Sequence, residues 1–176
     1  VSWGASAPMS LDRLWASWRS AYVADVTLGR DHEAGCVFCA LLSEEPSPES
    51  GLIVVNELAA CLLNAYPYGS GHLLVLPRRH VAGLSELTDD EAAALWSLSR
   101  QAVRSVEQAY RPDGVNLGAN LGEAAGAGIP AHLHLHVLPR WQGDTNFMTS
   151  IAETRVLPES LAETWAKVTA AWPEAL

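Results

Sequence analysis

The stretch His132-Leu133-His134-Leu135-His136-Val137-Leu138 decides how the rest of this 176-residue chain is read. Histidine alternates with an apolar residue, the period-2 pattern of a strand whose two faces meet different surroundings. As a strand it turns three imidazoles to one side and buries Leu133, Leu135 and Val137 on the other. Three of the chain's six histidines stand within these five positions, which makes chance clustering a poor account.

Working outward, the apolar runs 52–55 and 59–63 predict a hairpin around Asn56-Glu57-Leu58. Residues 66–71 (YPYGSG) are turn chemistry, and 72–76 form a third strand stopped by Pro77. Thr88 followed by Glu91 is a capping box. It opens a long amphipathic helix with a stripe of Ala94, Leu95, Leu98, Ala102, Val106 and Ala109, ended by Pro112. Residues 115–120 form a fourth strand, 122–128 a glycine-rich loop, and 132–138 the fifth strand. Residues 43–50 (SEEPSPES) are a loop, and 11–23 and 158–171 predict terminal helices. The expected fold class is α+β: an antiparallel sheet of about five strands with a long helix and terminal helices. The expected organisation is a single domain, 1–176, with an N-terminal extension bearing a helix (1–35), a core (36–148) and a C-terminal helical segment (149–176).

Composition narrows the function classes. An apolar share of 49% with 18% charged residues describes a globular chain. The net charge of −9 argues against coating a nucleic acid, since few cations are present to displace counterions along a phosphate backbone. A small anionic ligand needs only a local reversal of sign, for which Arg78, Arg79 and Arg140 stand beside histidines. No apolar run reaches the roughly 20 residues of a membrane helix. The odd number of cysteines and the lack of a secretory apolar region lead to a cytoplasmic expectation, where a C-x-x-C pair (Cys36, Cys39) points to metal or redox chemistry. Cys61, in an apolar run, reads as core.

Chemistry on the histidine face has two candidate forms. A single zinc held by all three is geometrically strained, because His132 and His136 are rooted roughly 13 Å apart on a straight strand whereas zinc ligands converge within a few ångströms. Catalysis on phosphate fits better. A neutral imidazole is a nucleophile at neutral pH, and a second can assist a departing oxygen. Just upstream, Gly122, Gly126 and Gly128 let backbone N–H groups approach phosphate oxygens.

At this point the residues resemble a known family. His132-Leu-His134-Leu-His136-Val-Leu matches the histidine-triad (HIT) signature at every position, and the resemblance extends over 36–148. It takes in Leu62-Leu63-Asn64, the run Gly71-His72-Leu73-Leu74-Val75-Leu76-Pro77-Arg78-Arg79-His80, and residues 116–128. The downstream run from Pro139 to Met148 looks most like the bacterial diadenosine tetraphosphate phosphorylase branch. The resemblance implies a HIT-like fold and a nucleotidyl transferase or hydrolase acting on dinucleoside polyphosphates. His134 would be the nucleophile that forms a covalent nucleotidyl-imidazole, His136 would contact phosphate and help the leaving group, and His132 would complete the catalytic set. Asn64 would touch the ribose, Asn120 a phosphate, and Asn146 an acceptor phosphate, with Gly126 and Gly128 in the cradle. Many relatives carry Gln and Ser or Thr ahead of the triad, where this chain has Gly128 and Ile129. That departure argues against a phosphoramidase and for the phosphorylase-like branch. Hydrolysis of an adenylyl sulfate or phosphoramidate, or nucleotide binding without catalysis, are the competing functions.

The resemblance also implies a structural zinc on Cys36, Cys39, His80 and His132, a closed Cys2His2 set with no open position. It further implies a homodimer. His32 reads as exposed. Trp15, Trp18 and Trp96 lie on helical stripes and read as core or interface, leaving Trp141 as the tryptophan expected near the site.

Overall fold

The computed structural model describes residues 35–144 and 159–173. The proposed helix at 11–23, with Trp15 and Trp18, lies outside the described residues, as do His32 and Asn146. A short helix α1 (Val37–Leu41) precedes strands β1 (Leu52–Val55), β2 (Ala59–Leu63) and β3 (Leu73–Pro77). Then come the long helix α2 (Asp89–Tyr110), β4 (Gly114–Gly118), β5 (Leu135–Arg140) and helix α3 (Leu161–Ala170). The five strands form one sheet in the order β1-β2-β3-β5-β4, and each neighbouring pair is antiparallel. This is the α+β architecture expected from the sequence pattern.

Strands β2 and β3 are buried on both faces, which is why they read as continuous apolar runs rather than alternating ones. Ala59, Cys61, Leu63, Leu73 and Val75 pack with Leu95, Leu98, Ala102 and Val106 of α2 and Val168 of α3. Leu62, Leu74 and Leu76 point the other way and pack with Phe38 of α1. Leu133, Val137 and the partly buried Leu135 join the α2 side, so the apolar half of the histidine stretch faces the larger core. Cys61 is fully buried there. Burial pushes its thiol well above the ordinary range, so it is an inert core residue.

Helix α2 begins where the sequence places it. Thr88 accepts from Glu91 N–H and the Glu91 carboxylate accepts from Thr88 N–H, satisfying donors the first helical turn leaves open. It ends at Arg111, in the left-handed region at φ 46°, directly before Pro112. The other end of the capping box is tied down as well. Arg79 grips both oxygens of Glu91, at 2.8 and 2.7 Å, and the Glu86 carbonyl at 2.6 Å. The guanidinium, followed by the Thr88 amide, holds the Glu91 carboxyl down at about 2.

Two strands start later than expected. β5 starts at Leu135 rather than His132, and β3 at Leu73 rather than His72. Only Leu73, Leu74 and Val75 pair with β5, because the chain before Leu135 leaves the ladder. Leu133 N–H donates instead to Val81 O, in the segment after β3, at 2.6 Å. Trp96 is 58% exposed on α2, so it is not part of the protomer core. Among the described residues, no helix is long and apolar enough to cross a membrane.

Candidate active site and metal centre

His132 leaves the sheet because its ring is held elsewhere. It is fully buried, and its Nε2 lies 2.9 Å from the Pro77 carbonyl. A carbonyl only accepts, so the ring proton sits on Nε2 and Nδ1 carries the lone pair. That Nδ1 stands 3.4 Å from Cys36 Sγ and 3.7 Å from Cys39 Sγ. His80 Nδ1 lies 3.3 Å from Cys39 Sγ. The ligand atoms of Cys36, Cys39, His80 and His132 all fall within 4.8 Å of one another.

These distances can be tested against a metal. A tetrahedron with Zn–S of about 2.3 Å and Zn–N of about 2.0–2.1 Å has S-to-N edges of about 3.5 Å. The observed 3.3, 3.4 and 3.7 Å straddle that value. The second nitrogen of His132 is anchored on a carbonyl, the support a metal-bound imidazole ordinarily has. The donor set fits zinc and offers four protein ligands, leaving no position for substrate.

His134, 6% exposed, is anchored by its own neighbour. Its Nδ1–H donates to the His132 carbonyl at 2.8 Å, which fixes the proton on Nδ1 and puts the lone pair on Nε2. The Phe38 ring packs edge-on against both His134 and His132, with centroids 5.2 and 5.5 Å away. Burial pushes the imidazolium of His134 below the usual histidine range, so the ring is a neutral base at neutral pH.

His136 lies in the ladder opposite Leu74, with its centroid 5.1 Å from that of His134. Its Nδ1 is 2.9 Å from Nε2 of a fourth histidine, His72. Its Nε2 is buried with no partner among the described residues. Burial, and secondarily the neighbouring His134, lower its imidazolium to about 4. Tyr68 lies over both rings, 4.7 Å from His72 and 5.8 Å from His136.

Other expectations fare unequally. The Asn64 side chain bridges His72 Nδ1, at 3.3 Å, and Tyr66 N–H, at 2.9 Å, which places it beside the histidines. Gly122 and Gly126 take positive φ, 82° and 89°, and Asn120 Nδ2 reaches the Gly126 carbonyl at 3.4 Å. The loop is thus a folded turn, with Gly128 half-buried at its end. Trp141 follows β5 and stands edge-on to Tyr110 at 6.1 Å, roughly 16 Å along the chain from His136 at the rise of an extended strand. The expected local cations are engaged with other groups. Arg79 is bound to Glu91, and Arg140 to Asp144 and Asn116, while the Arg78 guanidinium donates to the Asn56 carbonyl. Sequence spacing could not show this, because each arginine's partner is distant in the chain or past a turn. His72 and Phe38 are the groups sequence reasoning missed. The signal for His72 was its position after a tight turn, one strand away from the triad, but only the β3–β5 register brings it to His136.

The HIT domain model matches residues 46–143, and the chain belongs to the histidine-triad family. An AP-4-A phosphorylase of Mycobacterium tuberculosis is 41% identical over 165 residues, covering 92% of this chain and 85% of the relative. A bis(5'-adenosyl)-triphosphatase of Dictyostelium discoideum is 36% identical over 97 residues, 54% of this chain and 64% of the relative. Among solved structures, a zinc-bound histidine triad family protein from Mycobacterium smegmatis is 30% identical. It superimposes with a TM-score of 0.62 over 77% of this chain and 91% of that one.

Proposed function

We propose that this chain is a nucleotidyl transferase that cleaves dinucleoside polyphosphates at the α-phosphate, with inorganic phosphate as the acceptor. The observation that carries the reading is the bond from His134 Nδ1–H to the His132 carbonyl, which leaves a buried neutral imidazole with its Nε2 lone pair available. The 41% identity to an AP-4-A phosphorylase over most of both chains supports the substrate class and the acceptor.

In this mechanism the His134 Nε2 lone pair forms a bond to the α-phosphorus. The bond to the bridging oxygen breaks, and its electron pair leaves with the departing nucleoside polyphosphate. The cation left on the ring keeps its Nδ1 proton against the His132 carbonyl, which stabilises it. Phosphate oxygen then attacks the adenylyl-imidazole, and the N–P electron pair returns to Nε2. Diadenosine tetraphosphate would thus give ATP in the first half and ADP in the second. The assigned roles are His134 as nucleophile, His136 Nε2–H as donor to phosphate oxygen, and Asn64 on the ribose. The turn containing Asn120, Gly126 and Gly128 supplies amide donors to phosphate, and Asn146 would serve the acceptor. His132 acts through its carbonyl and as a metal ligand.

Zinc on Cys36, Cys39, His80 and His132 would tie α1 to the sheet and fix the carbonyl that orients His134. The thiol ligands suit a reducing, cytoplasmic setting. The catalytic unit is 36–148, with 1–35 and 149–176 as extensions. Two copies would join through β4, the edge strand, where Leu117 and nearby Leu121 are 39% and 47% exposed.

The test is product analysis on diadenosine tetraphosphate with and without inorganic phosphate, together with trapping of an adenylylated protein. Phosphate-dependent ADP plus ATP supports the reading, whereas AMP plus ATP regardless of phosphate makes water the acceptor. His134→Ala should lose the adduct and at least about 10⁴-fold in kcat, and turnover surviving that change would refute the mechanism.

A further inference from the structure

The carbonyl that orients His134 is one half of a peptide unit whose other half is also held. His132 C=O and Leu133 N–H belong to the same planar trans amide, so they point in opposite directions. The carbonyl accepts His134 Nδ1–H at 2.8 Å. On the opposite side, Leu133 N–H donates to the Val81 carbonyl at 2.6 Å. This second bond exists because the chain before Leu135 has left the β3–β5 ladder.

The Val81 carbonyl repeats the pattern. Its own peptide unit carries Ala82 N–H on the far side, and that N–H donates to Glu86 Oε1 at 3.1 Å. Gly83 N–H donates to the same oxygen at 2.8 Å. Two peptide units thus stand head to tail between an exposed carboxylate and the buried nucleophile. The row runs from Glu86 Oε1 through Ala82 N–H and Val81 C=O to Leu133 N–H, and from His132 C=O to His134 Nδ1–H. Every bond in it has the same sense, with the oxygen end toward His134. Bonds in such a row polarise one another, which makes the His132 oxygen a better acceptor. The flanking side chains keep the two units in place, since Val81 and Leu133 are 3% and 2% exposed and share the α2-side core.

We infer that Glu86 is a positioning residue for the nucleophile, acting through the Val81–Ala82 and His132–Leu133 peptides. It touches neither substrate nor His134. By gripping Ala82 and Gly83 it sets the direction of the Val81 carbonyl, and through Leu133 N–H the direction of the carbonyl that orients His134. The inference rests on the nucleotidyl-transfer reading above, in which positive charge grows on the His134 ring as Nε2 bonds to phosphorus. Two aligned amide dipoles already face that charge with their negative ends, so little reorganisation accompanies the attack.

The test compares Glu86→Ala and Glu86→Gln with the wild type, all on the full chain and well below the thermal midpoint. Glu86→Ala should lower kcat on diadenosine tetraphosphate about 5- to 20-fold, with KM within a factor of about two, because a loosened nucleophile costs rate rather than binding. NMR of the His134 ring should show its Nδ1–H resonance displaced in that variant. Glu86→Gln keeps an oxygen that accepts both turn amides, so it should restore kcat to within about threefold and return the resonance. An independent arm replaces the Leu133 amide by an ester, which removes the N–H that Val81 holds. It should lower kcat by at least about tenfold. Glu86→Ala with kcat within twofold of wild type and an unmoved resonance would overturn the inference. So would Glu86→Gln as impaired as Glu86→Ala, or an ester chain as active as the amide. Absence of both turnover and adenylyl adduct in the wild type would instead sink the underlying reading, and the His134 resonance would still decide the role of Glu86.

Discussion

The two ends of the histidine run are held by different materials. At the His132 end the chain leaves the sheet, and its anchors are two thiols, a fourth ligand on the segment after β3, and the Pro77 carbonyl. At the His136 end the chain is inside the β3–β5 ladder, and its anchor is the His72 ring, itself pinned by the turn before β3. One end depends on a metal-type cluster and the other on ordinary hydrogen bonds. Each nevertheless does the same physical work, which is to choose which ring nitrogen bears the proton. His134 and His136, two residues apart, thereby become chemically unlike groups, one with its proton on Nδ1 and the other on Nε2.

Breaking the cysteine end should have the largest effect. Cys39→Ser removes a thiolate ligand, so metal analysis should fall from about one zinc per chain to near zero, and the thermal midpoint should drop by roughly 10 °C. With the His132 carbonyl no longer fixed, kcat should fall about 10- to 100-fold. A metal-free variant with an unchanged midpoint would show that the cluster does not stabilise the fold.

Breaking the turn end should be milder and should leave the metal in place. Gly71 has φ +74°, and a Cβ there would lie 2.8 Å from the Tyr110 ring and 2.9 Å from Pro139. Gly71→Ala should therefore destabilise by about 2 kcal/mol and displace His72 next to it, lowering kcat with zinc content unchanged. Loss of zinc in this variant would mean that the two ends are one cooperative unit.

A pH series sharpens the comparison further. His136 is neutral in the folded protein down to about 4, whereas an unfolded histidine titrates near 6.5. Between those values the unfolded chain binds more protons, so stability should fall as pH drops from about 6.5 toward 4 and be flat from this source above it. His136→Asn should flatten part of that slope in thermal midpoints.

The smallest effect belongs to a pair outside both ends. Arg79→Gln removes the guanidinium from Glu91, whose folded carboxyl is held at about 2. The lost stability should be present at neutral pH and fade as pH falls toward 2, because both folded forms then carry a protonated carboxyl. The change should be about 2 °C in midpoint at pH 7, with zinc content and kcat unaltered.

Much of this was legible in the sequence, for local reasons. The capping box of Thr88 and Glu91, the apolar stripe of α2, and the alternation that sends Leu133 and Val137 to the core all depend on neighbours within a few residues. The C-x-x-C pair was legible as chemistry, and the family signature joined it to His80 and His132. The arginines beside the histidines were legible only as candidates: Arg79 is paired with Glu91, twelve residues on, and Arg140 with Asp144 across the turn that follows β5.

By itself, then, the sequence determined which residues could do chemistry here and which face of each element would be buried, since side-chain type and periodicity are properties of the chain. Only the tertiary structure decided which nitrogen of His132 and of His136 carries its proton. That choice depends on a carbonyl or a ring supplied from elsewhere, Pro77 for His132 and His72 for His136, across 55 and 64 residues of chain. Directional bonds of this kind exist only once the strands are in register.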